Sequence, residues 1–302
     1  MNRFVFLLGF LLMALMTVTL QAQKIIPLWQ NNMPNSKGIV LKDSVVRERV
    51  VQVGIPAVHV YEPSKAERTG TAVLIIPGGG YVKLAHEISG IALAKWYNTL
   101  GVTAFVLIHR FPQSPDVIES YKAPLQDGQR ALRYIRAHAE EYGIDIHKVG
   151  VMGCSAGGHL ALSGAVWEIP GMADQPRPNA LLLAYPVVTA GEYAHRDSFV
   201  QLTGTQDVAA HQRFTLEDKI TPATPPVFVW HTMEDETVPV ENTLLLLNAL
   251  HKAGVPCEAH LFEKGRHGTS ISTPEVDADS THRNRWVKLA VEWLDDTFSF
   301  HA

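Results

Sequence analysis

From about residue 44 onward, short apolar runs closed by turn residues alternate with segments whose apolar positions recur at intervals of three and four. That alternation restricts the chain to an α/β sheet with helical connections. The runs at 72–76, 102–108, 149–152, 181–185, 227–230 and 258–262 are nearly all apolar, as parallel strands covered on both faces must be. Earlier, Val45 to Val53 and Ala57 to Tyr61 lie close enough to form an antiparallel hairpin. The expected architecture is a mostly parallel central sheet of about eight strands, with an antiparallel N-terminal edge and helices on both faces. No linker or internal repeat divides residues 23–302, which read as a single domain.

Three helices show clearly in the period. Leu125, Gly128, Leu132, Ile135 and Ala139 form one stripe, ended by Gly143. Thr243, Leu246, Leu247 and Leu250 form a second, before Lys252 and a capping Gly254, and Trp286, Leu289, Ala290, Trp293 and Leu294 a third. Pro186 to Pro226 is too long for a simple connection, which marks it as a candidate lid or substrate-shaping insertion.

The N-terminus has a different character. Arg3 supplies a positive charge, Phe4 to Met16 carries no polar side chain, and Ala22 offers a small residue for cleavage. Residues 1–22 therefore read as a signal peptide, in preference to an uncleaved membrane anchor. The expected mature protein is periplasmic or extracellular, with no stable membrane insertion after cleavage. Export permits disulfides, but Cys154 and Cys257 lie in or beside different strands. A gap of three strand steps is ~14 Å, beyond the ~7 Å limit for a bridge, so both are expected free. The 26 Lys and Arg against 30 Asp and Glu, with no run of like charge, exclude a nucleic-acid partner.

The sharpest local signal is Val149 to His159, where an apolar strand meets Gly153-Cys154-Ser155-Ala156-Gly157 and a helical segment follows. Strand, G-x-S-x-G and helix together describe a nucleophile elbow. Glycines are needed at Gly153 and Gly157 because side chains would collide in so tight a turn, while Ser155 is held above the sheet. A serine hydroxyl is a poor nucleophile near neutral pH and requires a histidine base oriented by an acid.

Both follow in the order of this chemistry. After the strand ending at Trp230 comes His231-Thr232-Met233-Glu234-Asp235-Glu236, and after the next strand Gly265-Arg266-His267-Gly268. Asp235 is the expected acid, since its neighbours Glu234 and Glu236 cannot also point inward. His267 is the expected base. Its rivals read differently, His231 as a structural histidine bonding the acid loop and His260 as a satisfied residue within a strand. Pro77-Gly78-Gly79-Gly80-Tyr81 directly follows the strand at 72–76. The unobstructed backbone N–H groups of this glycine run, with that of Ala156, are the expected oxyanion hole.

Other chemistries fail on particular positions. His86-Glu87 lacks the second histidine of a zinc site because Gly90 stands there, and His159 replaces the lysine of a phosphate loop. Lys83 occupies the last glycine position of a dinucleotide fingerprint. Neither a metal nor a cofactor is expected.

Taken together, Ile26-Pro27-Leu28-Trp29, Pro77 to Tyr81, Pro124-Leu125-Gln126-Asp127, Gly153 to His159, Thr224-Pro225-Pro226, His231 to Pro239 and Gly265 to Gly268 resemble the bacterial acetyl esterase and acetylxylan esterase-like branch of the α/β-hydrolase superfamily. In that resemblance the nucleophile, acid and base fall on Ser155, Asp235 and His267, and the oxyanion donors on Gly79, Gly80 and Ala156. Two positions depart from the pattern: Cys154 stands in place of a larger residue, and Pro77 in place of the first histidine of an HGGG loop. The implied substrate is an acylated sugar or oligosaccharide such as acetylated xylan.

The expected activity is thus that of a secreted serine carboxylesterase acting on short acyl groups. Two alternatives use the same residues: a peptidase or amidase of prolyl-oligopeptidase type, and an inactive hydrolase-fold binding module. Tyr81, Trp167 and Tyr193 are candidates for stacking on sugar rings.

Overall fold

The computed structural model describes residues 24–167, 175–272 and 280–299. The expected signal peptide at 1–22 lies outside them. Ten strands are formed among the described residues: β1 (Lys24–Pro27), β2 (Ser44–Val46), β3 (Arg49–Gln52), β4 (Ala57–Tyr61), β5 (Ala72–Ile76), β6 (Thr103–Ile108), β7 (Val149–Cys154), β8 (Ala180–Ala184), β9 (Val227–Thr232) and β10 (Cys257–Phe262). Eight of them make one sheet in the order β1-β4-β6-β5-β7-β8-β9-β10. From β6 to β10 neighbouring strands are parallel, whereas β1–β4 and β4–β6 are antiparallel.

The helices are α1 (Ala92–Asn98), α2 (Lys122–Ala137), α3 (Ala139–Tyr142), α4 (Ala156–Val166), α5 (Arg196–Thr203), α6 (Val208–His211), α7 (Glu241–Ala253), α8 (Ser280–Arg283) and α9 (Arg285–Phe298). The stripe expected to run through Ala139 spans α2 and α3, which His138 separates at φ −113°. Gly143 and Gly254 end α3 and α7 in the left-handed conformation (φ 65° and 69°), where a side chain would be strained.

Strand alternation divides the apolar residues between two layers. Leu74, Ile76, Val151 and Leu181 pack with Leu125 and Leu132 of α2, Leu160 of α4 and Leu246 of α7. Val73, Ile75, Met152 and Trp230 pack the other way, against Leu93 of α1 and Trp286 and Leu294 of α9. Every residue of β5, β6, β7, β8 and β9 is buried, which is why these runs are continuous and apolar rather than alternating.

The hairpin expected between 45–53 and 57–61 does not form. β2 and β3 pair with each other around Arg47 and Glu48, both left-handed (φ 47° and 61°), while β4 takes β1 and β6 as partners. The cause is burial. Val58 and Val60 of β4 belong to the core, whereas Val45 and Val46 of β2 are exposed and have no sheet face to cover. The small β2–β3 sheet is fastened instead to the chain beyond the glycine loop, through Val50 and Leu84, whose N–H groups each donate to the other's carbonyl (3.1 and 2.8 Å).

The chain runs from β5 to β6 on one side of it and then crosses to β7 on the other. Such a reversal opens a crevice at the carboxyl ends of the strands. The residues 77–81 and Ser155 leave β5 and β7 side by side there, Ile76 being paired with Gly153.

Candidate active site

Ser155 follows β7 at φ 54°, ψ −122°, a conformation a non-glycine residue holds only when its surroundings impose it. The surroundings are tight backbone contacts. A Cβ on Gly157 would lie 2.2 Å from the Ile76 carbonyl oxygen, and one on Gly153 would lie 2.3 Å from that of Gly157. Only glycine permits α4 to start this close to β5.

Ser155, His267 and Asp235, which belong to three separate loops, meet in one chain of hydrogen bonds. The Ser155 hydroxyl is 2.8 Å from His267 Nε2, and His267 Nδ1 is 2.6 Å from Asp235 Oδ2. In the arrangement this allows, Nδ1–H donates to the carboxylate and Nε2 accepts from serine. The second oxygen of Asp235 accepts from the N–H groups of Thr237 (3.0 Å) and Val238 (2.9 Å). Burial would raise the Asp235 pKa, but hydrogen bonds from His231 and His267, the nearby charge of His267 and the Val238 N–H outweigh it. The carboxyl is held well below its ordinary range. Glu234 and Glu236 are exposed.

The base loop is stitched to the acid loop. Thr232 Oγ1 donates to the Gly265 carbonyl (2.7 Å), the Gly265 N–H donates to Glu234 (3.2 Å), and the Met233 N–H donates to the Phe262 carbonyl (2.8 Å). His267 also packs edge-on against Tyr185, with ring centroids 4.9 Å apart.

The expected oxyanion donors lie on either side of the serine. Gly79 (φ 144°) and Gly80 (φ 64°) require glycine backbone. Among the described residues, the N–H groups of Gly79, Gly80 and Ala156 have no internal acceptor. Backbone donors left open beside a serine are free to bind an oxygen that develops negative charge.

His231 and His260 take the structural places expected of them, whereas the candidate stacking rings Tyr81, Trp167 and Tyr193 do not line the cavity. His231 bonds the acid loop through the Val238 carbonyl (3.0 Å), and its Nε2 also lies 3.2 Å from Asp235 Oδ2, while Thr243 meets Nδ1 at 2.8 Å. It therefore steadies Asp235 itself, a contact signalled in sequence only by a histidine four positions before the acid. His260 pairs with Glu258 at 2.7 Å. Tyr81 is not a stacking platform: it is buried, and its hydroxyl lies 2.8 Å from His159 Nδ1. Trp167 stacks on Tyr121, and neither it nor Tyr193 lines the cavity in front of Ser155. That cavity is about 780 Å³.

Residues 186–226 form one wall of it. Phe199, Leu202, Phe214 and Leu216 anchor this segment in the core, while His195, Asp197 and Gln201 face the cavity. Cys154 and Cys257 are free, one on β7 and the other on β10, three strand steps apart. Among the described residues no group of three or more His, Cys, Asp or Glu is placed to hold a metal ion, and no helix is long and apolar enough to cross a membrane.

Comparison with known proteins agrees with this fold. The Prolyl oligopeptidase family matches residues 122–300, and BD-FAE matches residues 58–175. A crystal structure of an acetyl ester-xyloside bifunctional hydrolase from Caldicellulosiruptor lactoaceticus superposes with a TM-score of 0.74 at 32% identity, covering 92% of this chain and 97% of that one. The chain belongs to the acetyl esterase and acetylxylan esterase-like branch of the α/β-hydrolase superfamily. Its curated relatives include endo-1,4-beta-xylanase B of Butyrivibrio fibrisolvens, 39% identical over 67% of this chain, and an acetylxylan esterase of Xylanibacter ruminicola, 30% identical over 68%. The matches span 33% and 42% of those two proteins.

Proposed function

We propose that the protein is an exported serine carboxylesterase that removes short, acetyl-like groups from carbohydrate, such as acetylated xylan or oligosaccharides, through an acyl-enzyme. The observation that carries this reading is the unbroken line from Ser155 Oγ through His267 to Asp235. Ser155 attacks the ester carbonyl carbon as His267 Nε2 takes its proton, and Asp235 holds the imidazole and balances its charge. The N–H groups of Gly79, Gly80 and Ala156 receive the oxyanion. As the intermediate collapses, the carbon–oxygen bond to the alcohol breaks and His267 returns the proton to the leaving oxygen. Water then gives a proton to His267 and attacks the acyl carbon; as this second intermediate collapses the bond to Ser155 Oγ breaks and His267 returns the proton to that oxygen, releasing the acid and restoring Ser155.

The carbohydrate substrate is supported by the xylan-directed names of the relatives, and export by residues 1–22 of the sequence. A short acyl group is favoured by the polar lining that His195, Asp197 and Gln201 give the cavity, since each methylene yields only ~0.8 kcal/mol even when fully buried. The match to the Prolyl oligopeptidase family favours a second reading, in which the same residues cleave peptide bonds.

Turnover of p-nitrophenyl esters from acetate to octanoate, with a dipeptidyl p-nitroanilide alongside, separates these readings. Acetate or propionate is the expected maximum of kcat/KM. Ser155→Ala and His267→Ala each lower kcat by at least about 10³-fold while leaving the fold intact. Wild-type-like turnover in either variant overturns the mechanism, a maximum at octanoate overturns the short-acyl reading, and faster anilide cleavage favours the peptidase.

A further inference from the structure

The mouth of the cavity carries an excess of positive charge that the reaction itself does not use. Arg49 reaches it from β3, Lys83 from the chain beyond the glycine loop, and Arg266 from the position before His267. Asp197, at the start of α5, is the carboxylate lining the same space. Among the described residues none of the three cations makes an ion pair. The chain has a net charge of −4, so this excess is local rather than a property of the surface as a whole.

Their backbones are held against the site. The Lys83 N–H donates to the Gly79 carbonyl (3.3 Å), and the exchange between Val50 and Leu84 places Arg49 next to that same segment. Arg266 lies between Gly265, which is tied to the acid loop, and His267. Three separate stretches of chain thus bring cations to a cleft with low-dielectric walls, where charges of one sign focus their field on what enters.

We propose that this rim selects esters whose alcohol half carries a carboxylate. The inference rests on the carbohydrate esterase reading: a short acyl group has no charge to offer, so the anion must lie on the sugar, and a uronic-acid-bearing saccharide is the matching substrate class. The rim acts by attracting and orienting the ester, not by contact with the reacting atoms.

The test compares kcat/KM for a methyl O-acetyl-glucuronoside with a free carboxylate and for its carboxamide, which has nearly the same size and no charge. The carboxylate is expected to be favoured about fivefold or more at low ionic strength, with the ratio falling toward parity in about 0.5 M NaCl. The combined variant Arg49→Gln, Lys83→Gln and Arg266→Gln is expected to lose most of the preference. Parity or preference for the amide in the wild-type protein at low salt overturns the proposal, as does a preference that salt leaves unchanged. With p-nitrophenyl acetate measured in parallel, turnover of that neutral ester with parity on the sugar pair defeats the rim alone. Absence of any ester turnover defeats the esterase reading with it.

Discussion

Tyr81 holds the glycine loop in place by a means unrelated to its aromatic surface. It sits at φ 63°, its hydroxyl meets His159 Nδ1 at 2.8 Å, and His159 Nε2 lies 3.0 Å from the Phe214 carbonyl. Because a carbonyl only accepts, Nε2 carries the hydrogen and Nδ1 accepts from tyrosine. Burial pushes the His159 pKa down to about 4, so the ring stays neutral near neutral pH. Tyr81→Phe keeps the packing and leaves Nδ1 without this donor. Ser163 Oγ remains 3.5 Å from Nδ1, so a stability loss of about 0.5–1.5 kcal/mol is expected from the lost hydrogen bond, with kcat reduced more than KM is altered, measured by thermal denaturation and steady-state kinetics. Unchanged kcat would mean that the brace does not set the position of the loop. Asp235→Asn is expected to cripple turnover, whereas Glu236→Gln is mild. At this scale the short motifs were legible, because tight turns and chain order leave few residue choices. The contacts from His231 to Asp235 and from Tyr185 to His267 were not. Each depends on where separate stretches of chain come to rest, and no spacing rule carries that information.

Among the elements, the firmest tie runs through Asp127 of α2. It is fully buried and receives Arg110 through Nε and Nη2 (3.0 and 2.8 Å), the Arg110 N–H (2.9 Å) and the Trp29 indole N–H (2.8 Å). Arg110 Nη1 goes on to the Pro34 carbonyl (2.7 Å). One carboxylate therefore fastens α2 to the loop after β6 and to the chain that follows β1. Asp127→Ala leaves a buried guanidinium uncompensated, and a loss of about 3–5 kcal/mol is expected in denaturant unfolding. Adding Arg110→Met should recover much of it; if the double variant is as unstable as the single one, the packing of Asp127 matters more than its charge. Trp29 and Asp127 both fall in motifs visible in the sequence, yet nothing in their spacing shows that they touch. The β2–β3 pairing was illegible for a related reason. Apolar runs specify which residues seek cover, but the partner of β4 was decided by burial of Val58 and Val60 against helices distant in sequence.

Over the whole molecule, buried and half-buried histidines set the response to acid. His59, His109, His159 and His195 are all held below 6.5, in each case first by burial. An unfolded chain takes up protons on these rings near 6.5, and the folded chain resists them. Stability is therefore complete above that pH and declines as the pH falls toward the folded values. For His159 alone the decline between 6.5 and about 4 amounts to about 3 kcal/mol. Asp235, held below its ordinary range, keeps its contribution through that window and loses it only in stronger acid. Thermal denaturation across a pH series is expected to show Tm falling from 6.5 downward, with a shallower slope in His159→Gln. A Tm that is level from 6.5 to 4 would contradict this. The sheet also separates its two thiols by end as well as by strand. Cys154 closes β7 beneath the reacting serine, its thiol pushed up to about 12 by burial, whereas Cys257 opens β10 in contact with solvent. A maleimide dye should therefore attach once per chain, at the end of the sheet remote from the chemistry. The native protein thus offers a single attachment point, for a label or a solid support, that leaves the reacting end of the sheet untouched without engineering a cysteine.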